Sequence, residues 1–200
     1  MTGIQALERA YATSEMELGK IEYQEFEYIR HGTLSLIASW DVQKGLVLKA
    51  SLDETRNEND FTKHIAEIIA TKPNDEWIFV TDQLNTHKSE SLVRLIANCC
   101  EIKTDLGVKG KSGILHSMAS RAAFLTDTTH RLRFLYTPKH SSWLNQIECW
   151  FSILVRRLLR RGNFTSTLDL KKQILSFIDY FNRTLAKPFV WKFLGYPNTA

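Results

Sequence analysis

The chain has 200 residues, 44% of them hydrophobic, 24% charged and 11% aromatic, which suits one domain with a single core and excludes disordered, collagen-like and coiled-coil chains. Its formal charge of +4 is unevenly spread: residues 1–100 carry 10 basic and 16 acidic side chains, residues 101–200 carry 16 and 6, so the second half predicts a polyanionic partner. Three cysteines, Cys99, Cys100 and Cys149, suit neither a disulfide framework nor a zinc module; with no apolar run near the roughly 18 residues needed to span a bilayer and no signal peptide, the expectation is a soluble cytoplasmic protein with reduced thiols.

Met1-Thr2-Gly3-Ile4-Gln5-Ala6-Leu7 reads like the interior of a folded element, and residues 8–30, rich in Glu, read as a covering loop. Thr33 to Val42 and Gly45 to Leu52 resemble a β-hairpin. From Asp60 to Ala70, Phe61, Ile65, Ile68 and Ile69 recur at helical spacing until Pro73. Trp77-Ile78-Phe79-Val80 is a continuous apolar run that predicts a strand buried on both faces. Ser89 to Cys99 predicts a helix, and residues 103–130 an insertion with a short helix near Leu115 to Phe124. Leu132 to Tyr136 is a second buried strand candidate. Two helices follow, Asn145 to Arg161 and Leu168 to Leu185, the latter with Leu170, Ile174, Phe177, Ile178 and Phe181 as its buried stripe. This mixture predicts an α/β sandwich.

Three constellations carry chemistry. Asp82 ends a strand and opens the polar loop Gln83-Leu84-Asn85-Thr86-His87, the usual place for a site residue in an α/β sheet; a loop carboxylate that caps its own turn is the plainer alternative. Asn145 opens a helix whose first turn presents Glu148. Asn-x-x-Glu is a capping-box pattern, but Glu148 is equally suited to Mg²⁺, which binds through one or two protein carboxylates. Downstream, Arg156, Arg157, Arg160 and Arg161 lie off the apolar stripe of Ile147, Phe151, Leu154 and Leu158, either as dipole partners at a helix end or as phosphate contacts. Gly110-Lys111-Ser112 lacks the glycine and strand of a phosphate-binding loop.

The segments Thr81-Asp82-Gln83-Leu84-Asn85-Thr86-His87-Lys88 and Tyr136-Thr137-Pro138-Lys139-His140-Ser141-Ser142-Trp143-Leu144-Asn145-Gln146-Ile147-Glu148 resemble the second and third acidic motifs of DDE transposases of bacterial insertion sequences related to Tc/mariner elements. The resemblance runs over nearly the whole chain, through Glu25 to Thr33 and on to Asp179-Tyr180-Phe181-Asn182. It implies an RNase H-like mixed sheet flanked by helices and metal-dependent DNA strand cleavage and transfer. Two Mg²⁺ (or Mn²⁺) ions would be held by three acids, of which Asp82 is the second and Glu148 the third. The resemblance further implies Lys139, His140 and the four arginines at DNA, with Asn85, His87, Trp143 and Asn145 in support. Its partners would be transposon-end and target DNA, at the nucleoid, with homo-oligomerisation through full-length transposase.

In relatives the first acid precedes a segment like Met1-Thr2-Gly3, so here it falls ahead of residue 1. The expectation is therefore a catalytic domain short of its first, central strand and of the helix-turn-helix domain, inactive by itself and with sheet edges left open. Two alternatives stand beside it: an RNase H-like nuclease unrelated to transposition, and a non-catalytic remnant that binds DNA or associates with transposase.

Overall fold

Strand β1 (Ile4–Arg9) opens the fold and runs antiparallel to β2 (Tyr28–Asp41), which in turn pairs antiparallel with β3 (Leu46–Asp53). The computed structural model describes residues 1, 3–11, 27–138, 141 and 144–188. β2 begins five residues before the hydropathy pattern suggests. Its first residues, Tyr28 to His31, are exposed, and what makes them a strand is the backbone ladder to β1, with Leu7 opposite Arg30 and Arg9 opposite Tyr28. The register slips between Gln5 and Leu7; Gly32, at φ 123°, sits in the extra residue on β2 and passes close to Thr167. The ladder continues to Met1, whose amino group donates to Leu36 O at 2.9 Å and whose carbonyl accepts from Leu36 N at 2.8 Å.

Helix α1 (Glu58–Thr71) starts at a complete capping box between Asn57 and Asp60. β4 (Trp77–Thr81) follows, then a single 3₁₀ turn (Asn85–Lys88) and α2 (Glu90–Cys99), capped by Ser89. α3 (Met118–Leu125) lies in the segment read as an insertion, which contributes Leu115, Phe124 and Leu125 to the core. β5 (Leu132–Tyr136) pairs parallel with β4 in register, Trp77 opposite Leu132 and Thr81 opposite Tyr136. α4 (Ile147–Leu154) runs into a π-helical turn over Val155–Leu159, and α5 (Thr167–Thr184) closes the described chain behind the Ser166 cap.

Among the described residues the strands form a three-stranded antiparallel sheet and a two-stranded parallel one. One correction concerns β4, which was expected to be buried on both faces and is buried on one only: Phe79 and Thr81 are covered, but Ile78 and Val80 are 49% and 46% exposed, and Leu135 on β5 is 48% exposed. The apolar run reflects a strand whose second face no described element covers.

Each half has its own core. One packs β1, β2 and β3 against α4 and α5 through Leu34, Leu36, Trp150, Leu154, Ile174 and Phe181. The other packs α1, α2 and α3 against β4 and β5 through Ile65, Leu92, Ile96, Leu125 and Phe134, with Ile37 and Leu48 reaching it from the far side of the first sheet. His64 of α1 stitches the halves together. It is 1% exposed, and its ring nitrogens pair with Ser39 Oγ of β2 at 2.8 Å and Ser51 Oγ of β3 at 2.9 Å. On the outer edge of β3, the Asn182 side chain of α5 both accepts from Val47 N and donates to Val47 O, each at 2.9 Å.

Candidate functional site

Asp82 is the first residue beyond β4. Its Oδ1 accepts from His87 Nδ1 at 2.8 Å and from Leu84 N at 3.1 Å, while Oδ2 takes part in no hydrogen bond among the described residues. Burial acts to raise the carboxyl's pKa, but the hydrogen bonds from His87 and Leu84, with the charge of Arg56, outweigh it and hold the group below its ordinary value. The loop-cap alternative is thus partly realised: one oxygen closes the turn and the other is left over.

The loop beyond Asp82 is tied from several elements. Gln83 Nε2 donates to Thr137 O at 2.9 Å, and Thr137 N donates to Thr81 O at 2.9 Å, prolonging the β4–β5 ladder past the strand ends. Tyr136 Oη donates to His87 O at 2.8 Å, the Phe61 ring of α1 lies 4.2 Å from the His87 ring, and Lys88 Nζ bonds Gln83 Oε1. Arg121 of α3, 7% exposed, donates to Lys88 O at 2.7 Å and to Leu115 O at 3.0 Å.

Glu148 is in the first turn of α4 and exposed. The capping box anticipated at this helix does not form. Gln146 precedes the helix without a side-chain cap, the Asn145 carbonyl accepts from Glu148 N at 3.0 Å in a tight turn, and the Glu148 carboxylate makes no hydrogen bond or ion pair among the described residues. Asn145 Oδ1 comes only to 3.5 Å of Ile147 N, at the limit of a hydrogen bond. Glu148 is therefore free to serve as a ligand.

Burial and Arg56 lower the pKa of the Met1 amino group, and the charges of Glu148 and Asp82 oppose them. Two buried polar atoms near the acids in sequence have no partner, Thr81 Oγ1 ahead of Asp82 and Gln146 Oε1 ahead of Glu148, where groups from outside the described residues would satisfy them. No three His, Cys, Asp or Glu residues cluster as a metal site among the described residues. Asp82 Oδ2 and Glu148 nonetheless offer hard oxygen donors in the number that Mg²⁺ takes from protein.

The remaining expected residues divide. Arg156, Arg157, Arg160 and Arg161 are all exposed and form no ion pair among the described residues; Arg156 Nε donates to Ser152 O at 3.1 Å. The π turn inserts one extra residue into their helix, with Arg160 N bonded to Val155 O at 2.9 Å. Asn85 is exposed at the start of the 3₁₀ turn. Lys139, His140 and Trp143 lie outside the described residues. Arg56, Phe61, Tyr136 and Arg121 were not singled out from the sequence. Only Arg121 left a usable signal there, sharing a helical stripe with Phe124 and Leu125, an odd position for a cation.

Among the described residues no helix is long and apolar enough to cross a membrane. The family model described as DDE superfamily endonuclease matches residues 2–171. No curated protein and no solved structure matches the chain.

Proposed function

The chain belongs to the DDE superfamily of endonucleases, and from that premise we propose that it is the catalytic domain of an insertion-sequence transposase, related to Tc/mariner elements, in which residues 1–200 supply two of three catalytic carboxylates. The observation that supports this reading is the state of the two acids: Asp82 follows β4 with Oδ2 uncommitted among the described residues, and Glu148 stands exposed in the first turn of α4. The two sheets are then halves of one RNase H-like sheet, and the strand that joins them lies beside β2 beyond Leu36. The substrate is DNA.

Asp82, ionised and anchored through Oδ1, presents Oδ2; Glu148 offers from α4 a carboxylate uncommitted among the described residues. A divalent ion, Mg²⁺ or Mn²⁺, held by these oxygens would supply Lewis acidity at a phosphoryl oxygen and lower the pKa of bound water. A third carboxylate would offset the mutual repulsion of a pair of such ions. The exposed arginines beyond the π turn hold DNA phosphates and fix the duplex relative to the acids. Those arginines also favour a second reading, a non-catalytic chain that binds DNA or joins full-length transposase at the nucleoid.

The test is reconstitution. A polypeptide extended by a strand ending in Asp-Glu immediately ahead of Met1 should nick supercoiled DNA in Mg²⁺ at least about 100-fold faster than the 200-residue chain, and lose that activity in Asp82→Ala and Glu148→Ala. Equal nicking by the 200-residue chain would refute the incomplete site. No nicking by the extended chain, with DNA binding intact, would favour the binding module.

A further inference from the structure

Asp82 has two carboxylate oxygens, and the described residues engage only one. Oδ1 takes both local donors, His87 Nδ1 at 2.8 Å and Leu84 N at 3.1 Å. A carboxylate on a short side chain can swap its oxygens by rotation about its last bond; a donor fixed in space prevents this. The Leu84 N–H belongs to the same loop and moves with it, so the fixing donor is the imidazole.

His87 is itself held on three sides. Phe61 of α1 lies against the ring at 4.2 Å, inclined by 36°. Tyr136 of β5 bonds its backbone carbonyl at 2.8 Å. Arg121 of α3 bonds the next carbonyl, Lys88 O, at 2.7 Å, and is 7% exposed. Three elements that share no sequence neighbourhood thus converge on one ring and its peptide, far more than a surface turn of four residues needs.

We propose that His87 is a positioning residue that holds Asp82 with Oδ2 alone turned to a divalent cation, and that the Asp82 contact in turn locks His87 in its Nδ1–H tautomer. The ring does not touch substrate or metal. Nδ1–H donates to Oδ1, so in the neutral ring Nε2 is the nitrogen without a proton, the reverse of the tautomer that free imidazole side chains favour in water. Partners that orient a ligand in this way are typically worth about 10- to 100-fold in metal affinity.

This inference rests on Asp82 as a metal ligand, and the experiment separates the two. In the metal-free chain at pH 8, ¹⁵N NMR should find His87 as the Nδ1–H tautomer, reverting to Nε2–H in Asp82→Ala. Titration with Mn²⁺, followed by electron paramagnetic resonance, should show affinity lowered about 10- to 100-fold in His87→Gln and His87→Ala, and restored nearly to the parent value in His87→Asn, whose side-chain N–H takes the place of Nδ1–H. Circular dichroism checks that each variant folds. An Nε2–H tautomer in the parent chain, or equal Mn²⁺ affinity in His87→Asn and His87→Gln, would overturn the positioning role. Mn²⁺ binding that is absent, or that survives Asp82→Ala, would overturn the metal reading, and the tautomer would still decide whether Asp82 holds His87.

Discussion

The two halves of the molecule each carry one acid of the proposed site, and they hold it in opposite ways. The parallel half, β4 and β5 with α1 to α3, fixes Asp82 through His87, Gln83, Tyr136 and Arg121. The antiparallel half, β1 to β3 with α4 and α5, buries Trp150 and Leu154 of α4 yet leaves Glu148 exposed and without a partner among the described residues. A preorganised ligand costs little conformational entropy when it binds, while a free one can adjust to what arrives. The difference assigns the geometry of the site to Asp82 and its adaptability to Glu148.

The seam between the halves offers the largest way to break this arrangement. Burial and Lys49 lower the pKa of His64 to about 4, against a smaller upward pull from Glu67. Because the folded value lies below the ordinary 6.5, the unfolded chain takes up the proton first. The neutral ring's contribution is therefore complete above pH 6.5 and is lost as pH falls from 6.5 toward 4, by about 3 kcal/mol in all. Urea midpoints at pH 7 and pH 4.5 should show this loss, and the part due to His64 should vanish in His64→Asn.

Within the rigid half, Arg121→Met removes two bonds from a buried guanidinium and orphans the carbonyl of Lys88, while Leu115 O keeps only Gly110 N at 3.3 Å. A loss of about 2 kcal/mol is expected in urea unfolding. At the site itself the two acids should respond unequally. Asp82→Asn should cost about 1 kcal/mol, since the half-buried carboxylate accepts from His87 and Leu84, whereas Glu148→Gln should stay within about 0.5 kcal/mol. Equal costs would erase the contrast between the halves. The smallest effect per residue belongs to the arginines: neutralising Arg156, Arg157, Arg160 and Arg161 one at a time should each reduce the slope of log affinity against log salt for duplex DNA by about 1, without altering the melting curve. Unchanged slopes would make them an ordinary solvated face.

Much of this was legible in the sequence. Trp77 to Val80 followed by Asp82 marks a strand end because apolar residues stop where a polar loop begins, and the stripe of α5 needs only its spacing. The start of β2 was not legible, because Tyr28 to Thr33 are held by backbone pairing to β1, which leaves no trace in hydropathy. The exposure of Ile78 and Val80 was hidden for a related reason: an apolar run records what a strand can bury, not which face a neighbour covers. At Glu148 two local patterns competed, and the turn closed by the Asn145 carbonyl displaced the capping box. The Asp82–His87 pair was within reach at a spacing of five residues, but which oxygen the ring would occupy depends on Phe61, Tyr136 and Arg121, all remote in the chain.

The Asn182 side chain that meets both polar groups of Val47 has a consequence for how copies of this protein meet one another. A free strand edge is a template on which another chain can build. By pairing with β3 as a strand would, a single amide blunts the outer rim of the antiparallel sheet at Val47, so that sheet-to-sheet growth is disfavoured there.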